Sequence, residues 1–241
     1  MRLNSNDVVL FSGDSITHGN RGQCMDCNHI LGHGYQYIAA GRLALDNLDT
    51  RPKFINKGYS GFTMGQLLEK WQEDVIANKP TYLSVLAGVN DGHQGCLNGL
   101  TVQEVADRYR STLCGALDLT LAANPETKLI ICEPFYFPLE QTGSYALTPH
   151  PYCEGPFRRP DEGEPAAQRE FREEAMHLTR EAARETAERY RAVFVPFYEP
   201  LKAAMARSCP EYFIWDGTHP TVAGHMLMAD EWLRAVETIG R

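Results

Sequence analysis

The stretch TYLSVLAGVND, residues 81–91, sets the class of the fold. Tyr82 to Ala87 is apolar at every position except Ser84, so it does not alternate between a wet face and a dry one. A strand of that kind is buried on both sides, which calls for a parallel sheet with helices over each face. The same signature recurs at Val8 to Phe11 and at Lys128 to Cys132 (KLIIC), with shorter runs at Lys53 to Asn56 and Ala192 to Pro196 (AVFVP). Between these runs the apolar spacing predicts helices over 35–47, 64–77, 102–123, 167–190 and 222–239. On the 167–190 helix, Phe171, Ala175, Leu178, Ala182 and Thr186 form the expected inward stripe, and the Arg and Glu residues opposite read as a solvated face. Strand–helix alternation of this kind is an α/β domain, doubly wound around five strands.

The composition bounds what such a domain can do. The chain has 241 residues, 43% of them hydrophobic and 22% charged, which suits one packed domain over 1–241. Residues 138–166 break the rhythm with prolines, glycines and aromatics, and read as a long loop insertion of the lid or partner-contacting kind. With 23 Lys+Arg against 31 Asp+Glu the formal net charge is −8, which argues against nucleic acid and anionic membranes as partners. The opening residues lack the apolar core of a secretory signal, and no apolar run approaches the ~20 residues of a membrane span. Seven scattered cysteines, an odd number, do not suggest a disulfide framework, so a cytoplasmic location is expected.

In open parallel sheets ligands bind beyond the carboxyl ends of the strands, so the residues following each strand matter most. They are Gly13-Asp14-Ser15, then Asn56 to Gly61, then Gly88 to Asp91, then Glu133 to Tyr136, and finally Asp216-Gly217-Thr218-His219-Pro220. A serine hydroxyl becomes nucleophilic when a base takes its proton, and histidine does so best when a carboxylate orients it. Asp216 and His219 can stand side by side on one tight turn, with Pro220 suited to the first position of the next helix. The backbone N–H groups of Ser15 and Gly61 and the side-chain amide of Asn90 could receive the oxyanion. Taken singly, Ser15 reads better as a helix N-cap, and Asn90-Asp91-Gly92 also reads as a plain turn.

The blocks GDSIT, NKGYSGFT, GVND and DGTHPT, in that order from residue 13 to 221, resemble the signature blocks of the SGNH (GDSL) hydrolases. The resemblance implies a flavodoxin-like three-layer αβα fold with a five-stranded parallel sheet. It implies Ser15 as nucleophile, His219 as base, Asp216 as its partner, and Gly61 and Asn90 as oxyanion donors beside the Ser15 amide. KGYSGFT with LLEKWQEDVIANKP, EPFYFP and WDGTHPTVAGHMLMADEWL further resembles intracellular acetylxylan esterases and related carbohydrate acetyl esterases. The absence of any GxSxG agrees, since that motif marks the elbow of a different hydrolase fold. The expected activity is hydrolysis of small acyl esters, acetyl esters of carbohydrates first, with no cofactor. The alternatives are a lysophospholipase, thioesterase or arylesterase of the same family, or a non-catalytic carbohydrate-binding or scaffolding protein.

Further expectations concern the rim of the site. Asp14 reads as a support for the turn that presents Ser15, with substrate contact as its other role. Tyr59, Tyr136 and His93 are candidates to line the substrate pocket, the two tyrosines by stacking on a sugar ring. Phe62, Phe135, Phe137 and Tyr145 share the strand ends. Cys24, Cys27, His29 and His33 carry zinc-ligand chemistry at a spacing too compact for common zinc modules, so the segment reads as a loop over the site mouth without metal. The aromatic 138–166 segment suggests a homo-oligomer.

Overall fold

A computed structural model describes residues 1–22, 24, 26–139, 151–152 and 164–239. The elements in chain order are β1 (Val8–Gly13), α1 (Ser15–His18), α2 (Tyr35–Asp46), β2 (Lys53–Gly58), α3 (Met64–Glu69), α4 (Trp71–Asp74), β3 (Tyr82–Leu86) and α5 (Val89–Leu97). They continue with α6 (Val102–Ala123), β4 (Lys128–Cys132), α7 (Ala166–Arg189), β5 (Val193–Val195), α8 (Tyr198–Met205), α9 (Pro210–Phe213) and α10 (Val222–Val236). All five strands are parallel, in the order β2-β1-β3-β4-β5. That is the flavodoxin-like order, with helices on both faces.

Successive strand residues feed two separate cores, which is why the strands are apolar throughout. Val9, Phe11, Ile130, Cys132 and Val195 face the layer built from α2, α8 and α10. Leu10, Leu83, Val85, Leu129 and Ile131 face the layer of α3, α4, α6 and α7. Ser84, the polar residue in the β3 run, has a specific partner. Its Oγ accepts the indole N–H of fully buried Trp232 at 3.0 Å and lies 3.5 Å from Cys132 Sγ.

Several elements depart from the sequence reading. The helix expected over 64–77 is α3, α4 and a 3₁₀ turn at Ile76–Asn78, with a break at Lys70 (φ −96°, ψ 0°). A reciprocal cap between Thr63 and Gln66 starts α3, and the break turns Trp71 inward, where its Nε1 donates to Thr120 Oγ1 at 2.9 Å. The buried stripe of α7 comprises Ala175, Met176, Thr179, Ala182, Ala183, Thr186 and Ala187, whereas Phe171 and Leu178 are only half-buried. Small residues lead there because α7 packs along α6, and Thr179 and Thr186 return their hydroxyls to the carbonyls of Ala175 and Ala182, both at 2.7 Å. The segment 90–92, which reads as a turn, lies inside α5. Of the 138–166 insertion, residues 140–150 and 153–163, Tyr145 among them, lie outside the described residues. Among the described residues no helix is long and apolar enough to cross a membrane.

Replacing Ser84 with alanine strands the Trp232 N–H in a dry core. The expected loss is about 1–3 kcal/mol of unfolding free energy, read from urea denaturation. A loss indistinguishable from zero would show that this hydrogen bond does not stabilise the fold.

Candidate active site

The site assembles at the carboxyl ends of β1, β2 and β3. Asp14, not Ser15, caps α1: its carboxylate accepts from Ile16 N at 3.0 Å, and its own N–H donates to Leu86 O at 3.2 Å. The capping reading of Ser15 is therefore corrected, and its hydroxyl is left for another partner. Gly13 has to be glycine, because a Cβ there would stand 2.3 Å from Leu86 O and 2.4 Å from Thr17 Oγ1. Asn56, to which sequence reasoning assigned no role, fastens β2 to α1. Its Nδ2 donates to Thr17 O (2.7 Å) and Leu31 O (2.8 Å), and its Oδ1 accepts from Gly58 N (2.8 Å).

The hydroxyl of Ser15 meets His219 Nε2 at 2.7 Å, across 204 residues of sequence. His219 Nδ1 lies 2.5 Å from Asp216 Oδ2, and Asp216 Oδ1 accepts from the N–H groups of Thr218 (2.9 Å) and His219 (2.6 Å). With Nδ1–H directed at the carboxylate, Nε2 is the nitrogen that can accept the serine proton. The turn depends on Gly217, whose φ of +84° is left-handed and whose Cβ would stand 2.5 Å from Phe137 O. Pro220 pairs with Ile214 in a short antiparallel bridge; Thr221 is the N-cap of α10 and Val222 its first residue. The expected place of Pro220 at the helix start is thus taken by Val222.

Gly61 comes from the loop after β2 and Asn90 from the first turn of α5. Gly61 is exposed in a left-handed conformation (φ +80°), with open space where a Cβ would project. Asn90, the second residue of α5, donates its Nδ2 to Phe62 O at 3.0 Å. Beside it, both carboxylate oxygens of Asp91 accept from Met64 N, at 3.2 and 3.0 Å. The first turn of α5 thereby grips the 62–64 backbone immediately after Gly61.

The remaining candidates fall into different places. Asp14 is 1% exposed, so its environment is the cap rather than the pocket. Tyr59 donates to Asp74 Oδ2 at 2.7 Å, stacks on Phe62 at 4.9 Å and has the Arg21 guanidinium 4.8 Å from its ring centre. Tyr136 is 2% exposed beneath the Arg172 guanidinium, 4.0 Å from its ring centre. The open stacking faces expected of these two tyrosines are therefore taken up by protein groups. His93 lines a cavity of about 480 Å³ together with Asn90, Gln168, Arg172 and His219. Arg172 and Gln168 were missed because the polar face of α7 reads as solvated. Arg172 donates to Glu164 Oε1 at 3.0 Å and to Thr218 Oγ1 at 3.3 Å. The available signal was position, since a helix following β4 starts at the ligand end of the sheet. The cysteine loop also regroups: the ligand atoms of Cys24, Asp26 and His29 lie within 4.8 Å of one another at the surface, without Cys27 or His33. Asp26 Oδ1 already accepts from the N–H groups of Asn28 (2.8 Å) and His29 (3.1 Å), as a turn-capping carboxylate does.

Burial raises the Asp14 carboxyl to about 6, against the lowering effects of the Ile16 N–H and of His219. It raises Asp91 to about 7, against the Met64 N–H and reinforced by Asp14. For His219, burial lowers the pKa, but the hydrogen bond and charge of Asp216, with help from Asp14, outweigh it and the net shift is upward. A carboxyl raised in the folded state holds more protons there than in the unfolded chain. Asp14 and Asp91 thus favour the fold at low pH, and that contribution fades as pH climbs from about 4 through about 6 and about 7 respectively. Asp91→Asn is expected to compare better with the wild type at pH 8 than at pH 5 in urea-unfolding free energy. A difference independent of pH would contradict the raised carboxyl.

The family model for GDSL-like lipases and acylhydrolases matches residues 11–227. An acetylxylan esterase from Geobacillus stearothermophilus is 31% identical over 241 residues, covering 98% of this chain and 96% of that protein. A crystal structure of an acetylxylan esterase from that organism superposes with a TM-score of 0.72 at 28% identity, over 98% of this chain and 96% of the other. A candidate GDSL-like lipase from Parabacteroides merdae superposes with a TM-score of 0.76 at 30% identity, over 98% and 97%. The Geobacillus enzyme has also been solved as catalytic mutants at a serine, an aspartate and a histidine, the last two three residues apart, as in Asp216 and His219. The chain belongs to the GDSL-like lipase/acylhydrolase family and is a carboxylic ester hydrolase on the flavodoxin-like SGNH fold.

Proposed function

We propose that the protein hydrolyses small acyl esters, acetyl esters of carbohydrates above all, through an acyl-enzyme on Ser15. The observation that carries this reading is the unbroken chain from Ser15 Oγ through both nitrogens of His219 to Asp216. As Ser15 Oγ bonds to the ester carbon, its proton passes to His219 Nε2, and Asp216 stabilises the imidazolium. The carbonyl oxygen, now negative, takes hydrogen bonds from the Ser15 and Gly61 N–H groups and from the Asn90 amide. Breaking the ester C–O bond releases the alcohol, which takes its proton from His219 Nε2. Water then repeats the sequence on the acyl-enzyme, with His219 again as base, and acetate leaves. Similarity to acetylxylan esterases supports the acetyl and carbohydrate parts of the reading.

Ser15→Ala is expected to lower kcat on p-nitrophenyl acetate by at least about 10³-fold, with cooperative unfolding retained. An equal rate in both proteins would defeat the proposal. The octanoate ester should be the poorer substrate, and a strong preference for it would instead favour a lysophospholipase or thioesterase. Because His219 has to be neutral to act as base and its pKa is raised, kcat/KM should fall as pH drops through a midpoint above 6.5. A midpoint below that value, with Ser15→Ala inactive, would mean that Asp216 does not raise the imidazole.

A further inference from the structure

We propose that Gln168, His93 and the Arg172–Glu164 pair form a subsite for the leaving alcohol, and that it selects polyhydroxylated alcohols such as sugars. The inference rests on the esterase reading above and specifies which part of the ester the cavity holds. The proton that frees the alcohol comes from His219 Nε2, so the alcohol oxygen has to depart on the imidazole side. The 480 Å³ cavity is lined by His219 and Asp216 and reaches Asn90, while Ser15 and Gly61 are not among its walls. An ester whose carbonyl oxygen points toward Gly61 would therefore direct its alcohol into this cavity.

The walls suit hydroxyl groups. Val89 is the one aliphatic residue lining the cavity among the described residues; the other walls carry hydroxyl, amide, imidazole, guanidinium and carboxylate groups. Gln168 and Arg172 are one helical turn apart on α7 and face the same way. Glu164 takes up one side of the Arg172 guanidinium through contacts of 3.0 and 3.2 Å, so that pair presents polarity with little net charge. Arg172 Nε is buried and has no hydrogen-bond partner among the described residues. Burial lowers the His93 pKa and Arg172 lowers it further, against Glu164, so the ring is neutral at pH 7. A neutral imidazole and a primary amide each both donate and accept, as a sugar hydroxyl does. No side-chain hydrogen bond engages Gln168 or His93 among the described residues.

The test compares two secondary acetates of similar size on the full chain: a monoacetylated methyl β-xyloside and cyclohexyl acetate. The wild type is expected to favour the xyloside ester by at least tenfold in kcat/KM. In Gln168→Leu and in His93→Leu that ratio should fall severalfold, mainly through KM, and in the double variant it should approach one. Binding of the xyloside ester to Ser15→Ala, followed by calorimetry without turnover, should weaken about as much when Gln168→Leu is added. Gln168→Ala serves the same purpose if the leucine variant does not unfold cooperatively. A wild-type ratio near one, or a ratio unchanged in the double variant, would overturn the subsite while leaving the esterase intact. Failure to hydrolyse either ester faster than Ser15→Ala would instead overturn the esterase reading, and the subsite with it.

Discussion

Gly13 is the point on which the site depends. It ends β1 in register with Gly58 of β2 on one side and Leu86 of β3 on the other. β3 lies so close to Gly13 that a methyl group there would overlap the Leu86 carbonyl, and α1 so close to Gly58 that one there would stand 2.4 Å from His18 N. From that junction Ser15 opens α1, Gly61 follows β2 on a loop, and Asn90 lies in the first turn of α5, all beyond strands that are hydrogen-bonded together. The sheet contributes most of the precision, and short tethers do the rest. Asn56 ties β2 to α1, and Asp91 ties α5 to the backbone behind Gly61.

Those tethers place charge where water is scarce. Asp14 is fully buried and Asp91 half-buried, and loss of hydration raises both carboxyls. Each is held by a backbone N–H at a helix start, Ile16 for Asp14 and Met64 for Asp91. Such arrangements cost stability at neutral pH and position the loops around the serine in return, a common pattern at functional sites. Asp216 differs, because it accepts two backbone N–H groups in addition to the imidazole and forms the base of the turn that carries His219.

The fold class and the Ser15–His219–Asp216 chain could be read from residue order alone. Doubly buried strands such as Tyr82–Leu86 leave a one-dimensional trace, because both of their faces are apolar and no alternation appears. Asp216 and His219 are also local, three residues apart on one turn. The break at Lys70 was not visible, since Trp71 fits a continuous helix as well as a broken one until Thr120 is known to await its N–H. The stripe on α7 was misplaced because large apolar residues dominate a sequence pattern, whereas close approach of α6 selects alanine and threonine.

Local chemistry along the chain thus specified a parallel α/β sheet and the residue types gathered at its carboxyl edge. Packing alone settled which of those residues meet. Asp14 took the cap expected of Ser15, Arg172 covered Tyr136, and Gln168 and His93 were left lining a cavity beside His219. The physical reason is that capping, stacking and cavity walls depend on what lies across the gap. Contacts between residues distant along the chain leave no periodicity for a sequence pattern to register.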